Sequence, residues 1–218
     1  MAGRTDCLVD FLCFLWYNLR VMKRVMPENK KAAIDILSKG GILGVPTETV
    51  YGLAVKADNT PAIRKLLDLK QRQIGSGKVL TMMVADVDQM SQYALMDHRS
   101  LVLSRHYFPG ELTLILPKRR AYRHPYFDNF QTIGIRIPDH EYMLELLKQT
   151  GPLLVTSANP RGEAPCRNSK ELEARLPDVD GVVKGVSGGN IPSTIIDLTD
   201  DEPNVIRQGG LLVVRYTF

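Results

Sequence analysis

The sequence predicts an α/β (α+β) domain built on a sheet of mixed strand directions. Short apolar runs alternate with segments of helical period along most of the chain, and extra apolar runs close it. Its 218 residues contain no internal repeat, low-complexity block or linker, so they fit one domain with at most a short appendage.

The elements follow in order. Residues 28–39 read as a helix, with Ala32, Ala33, Ile36 and Leu37 on one stripe and Gly40 where a helix stops. Residues 42–45 are a buried strand ended by Pro46, and 47–53 a turn-like loop. Asn59-Thr60-Pro61 opens a helix with a capping residue and an early proline. Ile63, Leu66 and Leu67 give it an apolar face, and it ends near Gln71. Residues 73–77 form a Gly/Ser loop and 79–84 a strand. Asp86 caps the next helix, with Gln89 placed to complete a capping box. A helix at 99–107 stops at Pro109-Gly110, and 112–116 is a strand. Residues 118–130 lack period and are rich in basic and aromatic side chains, which marks an exposed loop. A strand (133–137), a helix (141–149) and a strand (153–156) follow, then a polar loop to 168 and a helix at 169–175. Closing strands are expected at 193–198, 205–207 and 211–215.

The chain begins with an apolar stretch, residues 7–19, interrupted by Asp10 and Asn18. It is shorter than the roughly 20 residues of a membrane span and lacks a small-residue cleavage site before Arg20. It is read as part of an N-terminal extension, residues 1–26, ahead of the main domain at 27–218; a docked helix or an organelle-targeting segment is the alternative. Residues 1–24 carry Arg4, Arg20, Lys23 and Arg24 against Asp6 and Asp10, half of the net charge of +4. The basic balance therefore says little about partners, and the position of each cation says more. Apolar residues at 44% and charged residues at 24% are those of an ordinary globular chain, and no membrane partner is expected. Cys7, Cys13 and Cys166 form neither a disulfide framework nor a zinc motif, which fits a reducing, cytoplasmic setting.

Polar residues gather at the ends of the apolar runs: Thr47 and Glu48, Thr132, Thr156, Ser157 and Asn159, Ser193 and Thr194, and Arg207. Ligands of open α/β sheets collect at such ends. Arg136 sits between two isoleucines, where it faces outward, pairs with an acid, or holds an anion. Lys70, Arg72 and Lys78 flank the Gly-Ser-Gly loop and suit either solvent or a polyphosphate. The loop is not a P-loop, there is no H-E-x-x-H, and a serine nucleophile elbow is not expected. His98, His106, His124 and His140 read as surface or capping residues, and Cys166, in a polar loop, as exposed and not a nucleophile. The stretch KRRAYRHPYF interleaves cations with Tyr122, Tyr126 and Phe127, a composition for single-stranded nucleic acid or for a mobile basic loop.

Six blocks in order resemble the YrdC-like family: VPTETVYGLA (45–54), LKQR (69–72), FPGELTLIL (108–116), TIGIRIPDH (132–140), VTSANPRG (155–162), and PSTIIDLT (192–199) with VIRQGG (205–210). The resemblance implies a twisted mixed parallel/antiparallel sheet with flanking helices around a basic concave cavity. It implies an L-threonylcarbamoyladenylate synthase, a nucleotidyltransferase that makes threonylcarbamoyl-AMP and pyrophosphate from L-threonine, bicarbonate or CO2, and ATP. Mg2+ would be held with ATP. The product would serve threonylcarbamoyladenosine modification of tRNA through a separate threonylcarbamoyl-transferase complex. By the same resemblance, Thr47, Arg136 and Ser193 would hold threonine. Lys70, Arg72, Lys78, Thr132, Ser157, Asn159, Arg167 and Arg207 would hold ATP, with Lys70 and Arg72 stabilising phosphate charge and no protein nucleophile. The sequence departs from the family pattern at Gln73, Val79, Met83, Phe108 and Arg161. The alternatives are a non-catalytic binder of double-stranded RNA or tRNA, a paralogue with a different substrate, and a carbamoyl-transfer module of the hydrogenase-maturation kind.

Overall fold

The structure, a computed structural model, describes residues 21–71 and 80–213. The expectations at Arg72, Gln73, Lys78 and Val79, and for residues 1–20 and 214–218, lie outside the described residues.

Ten described strands form one mixed sheet: β1 (Lys23–Val25), β2 (Leu43–Val45), β3 (Gly52–Lys56), β4 (Thr81–Met83), β5 (Leu112–Pro117), β6 (Thr132–Arg136), β7 (Leu153–Ser157), β8 (Gly181–Val183), β9 (Thr194–Asp197) and β10 (Asn204–Arg207). Their order is β1-β8-β2-β3-β7-β4-β6-β5-β9-β10. The β1/β8, β2/β8, β4/β6 and β5/β9 pairs are parallel and the others antiparallel. Six helices flank it: α1 (Lys30–Ser38), α2 (Thr60–Leu69), α3 (Val87–Tyr93), α4 (His98–Tyr107), α5 (Glu141–Thr150) and α6 (Ser169–Arg175).

Local chemistry sets the helix ends. Gly40 takes φ +76 just past α1, a conformation that favours glycine. Asn59 Oδ1 accepts from the Ala62 amide (2.9 Å) at the start of α2. Gln71, at φ 49, lies just past the other end of α2. Asp86 Oδ1 accepts from the Gln89 amide (2.7 Å), but Gln89 Oε1 accepts from Ala85 N rather than from the cap, so the expected box closes one residue earlier.

Period-two alternation divides the apolar residues between two cores. Leu53 and Val55 of β3 and Leu154 of β7 join α2 on one face. Ala54, Leu153 and Val155 join α1 and α5 on the other. The first core also takes Tyr126 and Phe127, 2% and 0% exposed, with their rings edge to face at 4.8 Å. This corrects the reading of residues 118–130 as a mobile exposed loop: Tyr126 and Phe127 anchor the segment in the core and are closed to bases, while Tyr122 is only partly buried. Its exposed side chains include Arg119, Arg120 and Arg123. His124 is buried, not on the surface, and His140 stands at the start of α5 without a side-chain capping bond.

Three strands depart from expectation. β1 lies inside the stretch read as an extension, yet it pairs with β8 and buries Val25. β8, three residues of Gly-Val-Val, is too short to show a period. β3 begins inside the expected 47–53 turn, because Gly52-Leu53 already pairs with β2 and β7. Residues 211–213 are not a strand.

Candidate active site

The alternation that buries Leu112, Leu114 and Leu116 of β5 and Ile133 and Ile135 of β6 turns Thr113, Ile115, Thr132, Gly134 and Arg136 to the opposite face. There they floor a cavity of about 690 Å³. Thr81, Met83, Val155, Ser157, Ile195 and Asp197 extend the floor; Thr47, Thr49, Val50 and Tyr51 from the β2–β3 loop, with Ser193 and Arg207, complete the wall. Arg136 between isoleucines is thus the ordinary consequence of a strand with one apolar and one ligand-facing side.

Register divides the floor. One row holds Val155, Thr81, Gly134, Ile115 and Asp197. Arg136 lies two residues to one side and Thr132 two to the other, roughly 13 Å apart at about 3.3 Å per residue. Ser157 falls on the Thr132 side, and Thr113 on the Arg136 side.

At the Arg136 end, the guanidinium is 4% exposed and tightly aimed. Its Nε donates to Gly110 O (3.1 Å), and its Nη2 donates to Glu48 Oε1 (2.7 Å) and Thr49 Oγ1 (3.1 Å). Asp139 N also donates to Glu48 Oε1 (2.8 Å), fixing the carboxylate. An arginine has five N–H donors. Three are used here, and the two on Nη1 have no partner among the described residues. Arg207 stands at the same end, since it pairs with Ile195 and Ile195 with Thr113. Its Nε and Nη2 donate to Ser193 O (2.9 and 2.8 Å), and Nη2 approaches Ser193 Oγ (3.2 Å), with no Nη1 partner among the described residues. Ser193 Oγ also meets Thr113 Oγ1 (2.9 Å). Partial desolvation and the charge of Arg136 pull the Arg207 guanidinium below the usual arginine range, although the residue as a whole is exposed on the edge strand β10. Two cations therefore face one space, and Arg207 has no carboxylate partner among the described residues.

The expected threonine-end residues Thr47, Arg136 and Ser193 line this cavity together. Thr47 Oγ1 is engaged in its own loop, donating to Val50 O (2.7 Å) and accepting from Thr49 N (3.1 Å). Of the expected nucleotide-end residues, Thr132, Ser157 and Arg207 also line it. Lys70 and Asn159 stand behind Ser157. Lys70 Nζ donates to Ser157 O (2.9 Å), to Asn159 Oδ1 (2.9 Å) and to Asn159 O. Ser157 Oγ donates to Asn159 Oδ1 (2.7 Å).

Arg167 is not brought to the cavity. It lines a separate groove of about 410 Å³ with Asn168, Glu171 and the 186–190 loop, and its mostly exposed side chain lies 3.8 Å from Glu171. Cys166 is corrected too: it is buried, and Arg175 Nη1 donates to its Sγ (3.4 Å). Sequence reasoning missed Thr49, Thr113, Gly134 and Asp197. The alternation in LTLIL and TIGIR was the available signal for Thr113 and Gly134. No group of three or more metal-ligating side chains occurs among the described residues.

The Sua5/YciO/YrdC family model, whose description reads "Telomere recombination", matches residues 35–209. The chain belongs to this family. Among family relatives, the threonylcarbamoyl-AMP synthase of Bacillus subtilis (strain 168) is 34% identical over 187 residues, covering 82% of this chain and 53% of the relative. That of Escherichia coli O1:K1 / APEC is 34% identical over 185 residues, covering 82% and 94%. The crystal structure of P. abyssi Sua5 complexed with L-threonine superposes with a TM-score of 0.80 at 26% identity, covering 88% of this chain and 58% of Sua5. E. coli YciO superposes with a TM-score of 0.78 at 29% identity, covering 87% and 95%. The chain thus spans about half of the Bacillus relative and nearly all of the E. coli family members. No helix among the described residues is long and apolar enough to cross a membrane.

Proposed function

We propose that this protein is an L-threonylcarbamoyladenylate synthase, joining L-threonine, bicarbonate or CO2, and ATP into threonylcarbamoyl-AMP and pyrophosphate. The observation that carries the reading is the pair of arginines, Arg136 and Arg207, held by the protein through Nε and Nη2 and lining one cavity, with no Nη1 partner among the described residues. The Sua5 complex with L-threonine and the synthase names of the relatives support it.

The threonine carboxylate sits on Arg136 Nη1, with Thr47 and Ser193 shaping the pocket. The nucleotide occupies the Thr132 and Ser157 end, with its phosphates reaching along the floor toward Arg207 at the Arg136 end. Threonine's amine adds to the one-carbon unit to give a carbamate. A carbamate oxygen then bonds to the α-phosphorus while the bond to the β-phosphate oxygen breaks, and pyrophosphate leaves. The protein contributes alignment and fixed positive charge, the two terms that dominate such transfers. Mg2+ would accompany the phosphates and supply charge there, with Asp197 the carboxylate of the cavity floor available to it. Lys70 and Asn159 support Ser157, and Arg72 and Lys78 serve the triphosphate. Arg167 acts there only if its loop turns toward the cavity. The reaction is assigned to the cytoplasm, and its product to tRNA modification by a separate transferase complex.

The test is pyrophosphate release from ATP. It should depend on both L-threonine and bicarbonate and collapse in Arg136→Ala. No release under any condition, together with tight, salt-sensitive RNA binding, would favour the non-catalytic RNA-binding alternative.

A further inference from the structure

Four glycines lie in strands, and three are required by their neighbours. A Cβ on Gly44 would meet Leu172 Cδ1 at 2.5 Å, one on Gly52 would meet Val155 Cγ1 at 2.7 Å, and one on Gly181 would meet Ile36 Cδ1 at 2.5 Å. Gly134 differs. A Cβ there meets only Thr113 Cγ2, at 3.7 Å, an ordinary contact. Its φ is not in the positive range that favours glycine. Neither backbone nor packing asks for glycine here, and a glycine within a strand weakens it.

Its position supplies the reason. Gly134 is in the middle of the cavity floor, opposite Ile115 on β5, with Arg136 and Thr132 about 7 Å to either side at about 3.4 Å per residue. An amino acid at the Arg136 end and a nucleotide at the Thr132 end meet above it. We propose that Gly134 determines joint occupancy: the missing side chain is the space in which the carbamate reaches the α-phosphorus and the joined adenylate lies. This rests on the synthase reading above and adds to it the residue that lets the two half-sites communicate.

Variants Gly134→Ala and Gly134→Val test it. Thermal unfolding, calorimetric binding of L-threonine alone and of ATP alone, and threonine-dependent pyrophosphate release are measured on each. Both variants should unfold at or above the wild-type midpoint and bind each ligand singly. The kcat/KM for pyrophosphate release should fall roughly 10–200-fold in Gly134→Ala, the scale of one added carbon in a fitted pocket, and further in Gly134→Val. Full turnover in Gly134→Val overturns the proposal and leaves the synthase reading intact. A lowered midpoint with both single-ligand affinities lost in Gly134→Ala also overturns it, because the glycine would then be structural. Wild-type protein that binds neither ligand overturns the synthase reading and this proposal with it.

Discussion

Replacing Glu48 by alanine should destabilise the protein through Arg136, and the size of the effect follows from the site. The carboxylate and guanidinium are 2.7 Å apart, with side chains 13% and 5% exposed. Opposite charges about 4 Å apart attract by about 4 kcal/mol at an effective dielectric near 20. Removing one partner of a buried pair strands the other and costs about 3–5 kcal/mol. Because Glu48 keeps some solvent contact, the lower end, about 3 kcal/mol, is expected for Glu48→Ala. Gln in its place keeps an acceptor for Arg136 Nη2 and Asp139 N, so Glu48→Gln should lose less. Urea unfolding of Glu48→Ala, Arg136→Met and the double variant closes a cycle, with the slope checked for constancy. A coupling of at least about 1.5 kcal/mol is expected. L-Threonine should also stabilise Glu48→Ala more than the wild type, since its carboxylate supplies the missing countercharge. Additivity within about 0.5 kcal/mol would refute the pairing and the claim that Glu48 aims Arg136.

Other consequences are equally direct. Lys70→Met removes the charged bonds to Ser157 and Asn159, each worth about 1.5–3 kcal/mol, so amide exchange should quicken across 157–163 and the KM for ATP should rise. A chain starting at Pro27 loses β1 and the burial of Val25, roughly 1.5–3 kcal/mol, and should unfold at lower urea than one starting at Val21. Burial holds His124 and His140 below their ordinary value of 6.5, against the raising charges of Asp128 and Asp58 on one and Glu48, Asp139 and Glu141 on the other. As pH falls through 6.5 the unfolded chain takes up protons that the folded one resists, so stability should drop until the folded values are passed. Urea midpoints at about pH 7.5 and about pH 5.5 should differ less in His124→Gln than in the wild type.

The sequence carried the sheet's alternation well, because a strand with one buried face writes its period in every second residue. TIGIR and LTLIL show this, and so does the placement of Arg136, Thr132 and Ser193 around one space. It could not reveal Glu48 as the partner of Arg136, since 88 residues separate them and only the β2–β3 loop brings them together. KRRAYRHPYF misled for a related reason. Composition records which residues are present, whereas burial of Tyr126 and Phe127 depends on the core they plug. Three-residue strands such as β1 and β8 are held by their neighbours and have no period of their own to read.

Donor arithmetic then separates cations that act on a ligand from cations that build the site. Arg136 and Arg207 each use three of five N–H groups on fixed acceptors, so each is rigidly oriented and still has two to give. An ammonium has three donors. Lys70 has three acceptors in the Ser157–Asn159 turn, so in this arrangement its hydrogen bonds shape that turn, while its positive charge still reaches beyond it. A phosphate near Ser157 would feel the charge without a direct bond, unless the turn first releases the lysine. The arginines need no such release, because Nε and Nη2 alone hold them in place. Preorganised charge of that kind acts at the transition state without reorganisation, so the proposed adenylate formation asks for no protein nucleophile.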